Sequence, residues 1–399
     1  MWKVLRSRRV WLGLPGVLAA AVVVLAVFAP VGGSTVTSFR GGAFGSPGLG
    51  VGSGFPGPAE RVGSPDSSSR SASISNLGSL YGDTQVAANG VNDSGLVVGE
   101  SESADGSTFE SFGWTKQGGM VDLGIRTAAY PYSYAQGVND NGEVVGGIAT
   151  SSDNAEHAFA WTRRGGTVDL GTFGDWTNSY AAAVSDSGEI VGSGEAADYS
   201  DEQAFAWTKQ RGMVGLPSLP GYTSSQAFAV NNSGEVVGIS TTPDESSFEA
   251  TIWTAAGRAI PLPCTLPGNY SISSALGVND SGEVVGYCRT ATGGVFRAFA
   301  WTPRGGMVDL GALGGPYTIS LARAVNDDGQ IVGNGSDVGY TTFHAFSWTP
   351  RGGMVDLGAL GGADTNSKAL ALNDNNQVVG YAQPPDFSTQ AAVLWQLHR

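Results

Sequence analysis

Short apolar–polar alternations, each a handful of residues long and each closed by a glycine-bearing turn, run through most of this chain. Leu321-Ala322-Arg323-Ala324-Val325-Asn326 alternates with period two, which puts successive side chains on opposite faces of a strand. Asp327-Asp328-Gly329 is a turn whose glycine supplies a positive φ. A second strand, Gln330–Gly333, leads into a polar loop, and His344–Thr349 is a third strand. Pro350–Gly353 turns tightly into a fourth, Met354–Gly358. Four short antiparallel strands of this kind make one propeller blade.

The unit recurs. Trp114, Trp161, Trp207, Trp253, Trp301, Trp348 and Trp395 stand 47, 46, 46, 48, 47 and 47 residues apart. Asn92, Asn139, Ser185, Asn231, Asn279, Asn326 and Asn373 repeat the same six spacings. A period of this size marks a repeat array. The turn residue is Gly95, Gly142, Gly188, Gly234, Gly282, Gly329 and then Asn376, the non-glycine residue best able to enter the left-handed region. Each first strand carries an alanine (Ala88, Ala135, Ala181, Ala227, Ala275, Ala322, Ala369) followed two positions on by Gly or Ala. Period two puts both small residues on one face, as an innermost strand crowded around an axis requires. The tryptophans are expected to pack between blades, a more economical use for seven of them than seven ligand contacts.

The last repeat ends at Trp395-Gln396-Leu397 without a fourth strand. Ile74-Ser75-Asn76-Leu77-Gly78-Ser79-Leu80 matches Val355–Leu360 of the repeat, so the missing strand lies at the other end of the body. The sequence therefore predicts an all-β fold over residues 72–399: a seven-bladed β-propeller of four-stranded antiparallel blades, closed by its own N-terminal strand. An open array would need capping repeats and would leave an edge strand free to pair with other chains. The closed ring is expected to act as a monomer.

Charge divides the chain unevenly. Of 21 basic and 35 acidic residues, the first 71 positions hold 7 and 2, leaving 14 against 33 for the repeat body. A body this acidic repels nucleic-acid phosphates, so no nucleic-acid partner is expected. Lys3, Arg6, Arg8 and Arg9 precede an uncharged apolar run, Val10–Ala29, and residues 1–33 read as an export signal. Ser7-Arg8-Arg9-Val10-Trp11-Leu12 resembles a bacterial twin-arginine signal; the arginine pair also serves as the generic positive charge of any export signal. Val31-Gly32-Gly33 before Ser34 offers a small-residue cleavage point. Left uncut, the run of about 20 residues is long enough to anchor the chain in a bilayer. Residues 34–71, rich in Gly, Ser and Pro, read as a disordered linker. Export makes a disulfide stable, and Cys264 and Cys288 are the chain's only cysteines. Each stands near a strand end facing one rim, on neighbouring blades, so they are expected to be bonded.

Glu156-His157-Ala158-Phe159-Ala160-Trp161, His344-Ala345-Phe346-Ser347-Trp348, Gly352–Gly358 (GGMVDLG) and Val278–Gly286 (VNDSGEVVG) resemble the HAF repeat family of extracellular bacterial proteins. The resemblance spans residues 72–399 and implies export and a repeat module. It implies no catalytic residue.

Strand order places the tight turns on one face of the ring and the longer strand two–three and four–one connections on the other. That loop face varies in sequence and bears Tyr81, Tyr130, Tyr132, Trp176, Tyr222, Tyr270 and Tyr317, candidate ligand-binding aromatics expected near the axis. It also bears Glu102, Asp105, Asp153, Glu195, Asp198, Asp201, Asp244 and Glu245. Aromatics with carboxylates can stack sugar rings or grip a cationic peptide, and they equally serve loop packing and solubility. The leading expectation is an extracellular or cell-surface binding module. The alternative is a secreted propeller hydrolase or lyase acting on glycans through a carboxylate pair on the loop face. His157 and His344 share one column with unlike residues elsewhere, so no histidine metal site is expected. The Asn-Asp-x-Gly turns lack the spaced carboxylates of a calcium loop and read as side-chain-capped turns. No cofactor is expected.

Overall fold

The computed structural model describes residues 72–398, apart from 104–105, 107, 152–154, 197–200, 292–293, 361–365 and 384–387. The expected export signal and linker lie outside these residues. Within them, 28 strands form seven four-stranded antiparallel sheets with no helix. Blade one runs Gln85–Val91, Val97–Glu102, Phe109–Thr115 and Gly119–Asp122, from the axis outward. Blades two to six repeat that order, and the first strands touch one another around the whole circle.

Blade seven is closed as expected. Asn366–Leu372, Gln377–Gln383 and Ala391–Gln396 come from the C-terminal end, and the outer strand is Ser73–Asn76. Ile74 stands opposite Trp395 and Asn76 opposite Val393. Leu77 extends the ladder with a 3.0 Å hydrogen bond from its N–H to the Ala392 carbonyl. Leu77 and Leu80 are buried against blade one. The body thus has no unpaired seventh edge.

Hydrophobic clusters form at each of the seven blade interfaces. Blade one's Val98 packs with blade two's Ala135, Val144 and Phe159, for example, and blade six's Val332 with blade seven's Ala369 and Val378. The tryptophans lie in these clusters, as expected. Phenylalanine two positions earlier is the deeper anchor, however: Phe112, Phe159, Phe205, Phe299 and Phe346 are fully buried while their tryptophans are half-buried. Blades four and seven have Thr251 and Val393 there instead, and in those two blades alone the tryptophan (Trp253, Trp395) sinks to full burial. The indole fills the volume the missing ring would have taken.

One expectation about the innermost strands needs correction. In every blade a β-bulge falls between the alanine and the small residue two positions on, as between Ala88 and Gly90 or Ala322 and Ala324. Simple alternation therefore does not hold across that point, and one extra residue per blade is turned out of register. The bulge also explains a glycine in the second strand. A Cβ on Gly99 would lie 1.9 Å from the Ala87 carbonyl oxygen, and one on Gly333 would lie 2.0 Å from that of Leu321. No side chain fits such an approach. At the hairpin turns, Asn376 adopts φ 59°, in line with the glycines of its column.

Cys264 and Cys288 are disulfide-bonded, with their Cα atoms 5.9 Å apart. Cys264 follows the outer strand of blade four (Ala259–Leu262). Cys288 lies fully buried within the second strand of blade five (Val284–Thr290) and not at its exit. The bond is a covalent staple across one blade interface, of a kind that persists in oxidising compartments.

Candidate functional site

The tight-turn face is built by repetition. Each Asn of the Asn-Asp turn accepts the N–H of the residue four positions on, as Asn92 does from Leu96 at 3.0 Å and Asn139 from Glu143 at 2.9 Å. That is the capping role expected from sequence. The side chains do more than cap. The Asn92 amide donates to the Asn139 carbonyl of the next blade at 2.9 Å, and six such links follow the ring through Asn139, Asn231, Asn279, Asn326 and Asn373. The neighbouring carboxylates complete a second circle. The N–H of Asp93 donates to Asp140, Asp140 to Asp186, Asp186 to Asn232, Asn232 to Asp280, Asp280 to Asp327, Asp327 to Asp374, and Asp374 to Asp93. All seven distances are 2.8–2.9 Å. These residues line an axial well of about 310 Å³. Its polar groups are largely engaged with one another. Among the described residues, no three His, Cys, Asp or Glu side chains converge as metal ligands.

Toward the loop face the inner wall stops repeating. One cross-strand pair in each blade reads Ala87–Glu100, Tyr134–Gly147, Tyr180–Ser193, Gln226–Ile239, Ser274–Tyr287, Leu321–Asn334 and Lys368–Tyr381. Blades one to three are acidic here. Tyr134 donates to Glu156 and Tyr180 to Glu195, each at 3.2 Å, and Ser193 donates to Glu202 at 2.7 Å. Gln226 of blade four also donates to Glu202. Desolvation, and then the neighbouring Glu102, push the Glu100 carboxyl up to about 7.

Blades five to seven are cationic. Arg323 is the bulge residue of blade six, turned by the bulge into a recess that it lines with Lys368 of blade seven. Phe296, Leu321, Asn334, Ser336, Tyr340 and Phe343 complete the lining. The recess holds about 40 Å³. Arg323 Nε donates to the Asn334 side chain at 3.2 Å, and Lys368 Nζ stands 4.3 Å from the centre of the Phe343 ring. Behind the recess, Arg289 is 8% exposed, with its guanidinium 5.3 Å over Phe248 and its Nε without a hydrogen-bond partner.

None of these three cations meets a carboxylate at ion-pair distance among the described residues. Arg126, Arg211 and Arg297 do, with Glu110, Glu189 and Asp309 at 2.6, 3.1 and 3.6 Å. Burial lowers the pKa of both Arg289 and Arg323. Stacking on an aromatic face returns about 0.5–2 kcal/mol. Removing a charge from water costs several. The aromatic rings therefore do not balance these charges, in a body whose net charge is strongly negative.

Most of the aromatics expected near the axis reach outward. Tyr81 is 78% exposed and its hydroxyl donates to Asp122 at 3.3 Å. Tyr130 reaches Asp169 at 3.5 Å, Tyr222 reaches Glu249 at 2.7 Å, and Tyr317 stacks on His344 at 4.6 Å. Tyr132 meets Phe109 edge-on at 6.4 Å, Trp176 tilts against Phe173 at 5.8 Å, and Tyr270 packs into the cluster that holds the disulfide. Tyr132 and Tyr270 open the innermost strands of blades two and five, whereas the partners of Tyr81, Tyr130, Tyr222 and Tyr317 belong to third and outer strands, so those four rings sit over the blades. His157 and His344 contact Asp169 and Asp356 of their own outer strands at 3.0 and 2.6 Å. Asp244 caps its own loop through Thr242 and Ser246, while Asp105, Asp153 and Asp198 lie outside the described residues.

Sequence reasoning missed Arg323 and Lys368. The signal was present: Lys368 stands in a column otherwise free of cations, one position before the alanine, and Arg323 one position after it. Without the bulge, nothing aimed Arg323 at the recess.

The fold and site define an all-β protein of the seven-bladed propeller class. No family model and no curated protein matches the chain. It is similar to the solved structure of an oligogalacturonate lyase in complex with manganese, with TM-score 0.53 at 9% identity over 82% of this chain and 97% of that one. An oligogalacturonate lyase from Vibrio parahaemolyticus gives 0.49 at 8% identity over 82% and 97%. TolB from Acinetobacter baumannii gives 0.40 at 10% over 75% and 80%. Likeness at such identities speaks to the fold alone.

Proposed function

We propose that the body is an extracellular or cell-surface binding module, a HAF-type repeat protein whose ligand surface is the loop-side mouth of the ring. The observation that carries this reading is the split between repeated and unrepeated chemistry. On the tight-turn face the same Asn and Asp recur and hydrogen-bond to one another around the ring. At the loop-side mouth the residues differ from blade to blade, with carboxylates in blades one to three and cations in blades five to seven. Identical blades suffice to build a ring, while a ligand without sevenfold symmetry needs a wall that differs around the circle.

A second reading, a glycan hydrolase or lyase, draws support from Glu100. A carboxyl titrating near 7 can hold or release a proton at neutral pH, and Glu102 lies beside it. One experiment addresses both readings: the purified protein is screened on glycan and peptide arrays, with the bound glycans incubated and analysed for cleavage. Capture without product supports the module, and product that disappears with Glu100→Gln supports the enzyme. No capture on either array removes the first reading.

A further inference from the structure

We infer that the recess between blades five, six and seven binds a carboxylated sugar, its carboxylate against Arg323 and Lys368 and its ring at the rim beside Tyr340 and Phe343. The inference rests on the reading of the loop-side mouth as the binding surface and names the ligand class for it.

Three observations converge. The first is uncompensated charge. Among the described residues, Arg323 and Lys368 line the same recess without a carboxylate partner, and Arg289 behind them is nearly fully buried, its Nε without a hydrogen-bond partner. Every other arginine whose ion pair is described here finds an acid on its own or a nearby strand. Among the described residues, the glutamates hydrogen-bonded at the mouth lie across the axis, in blades one to three. A bound anion completes the arrangement.

The second is size. About 40 Å³ admits a carboxylate and excludes a sugar ring, so the rest of the ligand remains at the opening. The third is the lining. Tyr340 and Phe343 are half-buried aromatics of the lining, and Asn334 and Ser336 are its buried polar members. A uronic acid offers each of these something: a carboxylate for the cations and the buried polar groups, and an apolar C–H face for the rings. An acidic peptide would satisfy the cations and leave the aromatic rim without a matching face.

The test is calorimetric titration of the protein with oligomers of galacturonate and glucuronate, neutral glucose oligomers of equal length, and poly-glutamate. Binding of a uronate oligomer is expected, with affinity falling as salt is raised. Arg323→Gln and Lys368→Gln should each weaken it at least tenfold. Without ligand neither variant should melt below the wild type, because each removes a charge that has no carboxylate partner among the described residues, and glutamine keeps a donor for Asn334 and a stem over Phe343; with ligand only the wild type should gain melting temperature. A residue that merely supported the fold would give the opposite pattern. Uronate binding that survives both substitutions overturns the site, as does equal binding of neutral oligomers. Poly-glutamate binding without uronate binding overturns the sugar assignment in favour of an acidic peptide. The wider module reading fails separately: it survives if array ligands are lost on changing Tyr134, Tyr180 or Glu202 at the opposite wall of the mouth but not Arg323 or Lys368, and it falls with this proposal if nothing is captured at all.

Discussion

The two faces of the ring spend their polar groups differently. On the tight-turn face, seven backbone N–H groups meet seven side-chain oxygens in a closed circle, one blade to the next. At the loop-side mouth, three cations meet no acid at ion-pair distance among the described residues, while the acids of the opposite wall bond to Tyr, Ser and Gln. Groups bonded to one another hold blades together and have little left for a ligand, whereas uncompensated groups cost stability and need some other use. Stability should therefore respond mainly to changes in the ring-closing apparatus. Changes at the mouth should alter binding and pH response, and some should make the protein more stable.

The largest effect should come from opening the ring. Deleting residues 72–81 removes blade seven's outer strand together with Leu77 and Leu80, which are buried at the junction with blade one. At about 1.5–3 kcal/mol for each buried leucine, with a lost strand pairing besides, the cost is at least about 5 kcal/mol. For a body of this size that is a fall of about 7 °C in melting temperature by calorimetry. Unchanged melting would show that closure contributes nothing.

Next is the staple between blades four and five. Closing a loop with a sequence separation of 24 is worth roughly 3–4 kcal/mol by chain entropy. Cys264→Ala with Cys288→Ala should therefore lower the melting temperature by about 5 °C. The same measurement on wild type with reductant should agree. Thiol labelling of the denatured, unreduced protein should find no free cysteine, and two labels per chain would refute the bond.

Glu100 sharpens the contrast from the other side. Its carboxyl titrates near 7 in the fold, against an ordinary value of 4.5, so folding favours its protonated form. The stability it allows is complete below about pH 4.5 and is lost as pH rises through 7, a difference of up to about 3 kcal/mol. Glu100→Gln should accordingly stabilise the protein by about 1–3 kcal/mol at pH 8 and by almost nothing at pH 4.5. Denaturant unfolding at the two pH values measures it. Equal effects at both would mean the carboxyl is solvated in the fold.

The ring and its closure were legible in the sequence because each blade solves the same packing problem and so repeats the same residue types. Trp at 46–48-residue intervals, the split last repeat and the paired cysteines all report backbone topology. The site was not legible, for two physical reasons. Arg323 is aimed by a β-bulge, and a bulge changes which way a side chain points without changing the residue count that alternation relies on. The place of Tyr130, Tyr222 and Tyr317 before each first strand predicts an axial position. Each bends outward to a polar or aromatic partner on its own blade, and the loop's path decides that. The Asn-Asp turns were legible as local caps, but their hydrogen bonds to the next blade require the ring to exist first.

The smallest predicted effect tests that last point within a single residue. The amide circle has six links and one break. At Ser185 the side chain has no amide to send to Asn231, and its hydroxyl turns instead to Ser187 at 2.8 Å. The residue is buried, and its turn glycine, Gly188, has the same positive φ as its counterparts, so the backbone already matches the blades that carry Asn. Ser185→Asn should restore the seventh link and stabilise the body by about 0.5–1.5 kcal/mol, the net value of one intramolecular hydrogen bond. The reverse change, Asn279→Ser, breaks a link in an otherwise continuous stretch and leaves the Asn326 carbonyl without its amide donor. It should cost somewhat more, about 1–3 kcal/mol, because a buried group loses a partner. Both are readable as shifts in denaturant midpoint at constant slope. If Ser185→Asn is neutral while Asn279→Ser is costly, the asparagines act within their own turns and the inter-blade bonds are incidental. A gain at residue 185 would show that the turn face stabilises the ring by linking its blades.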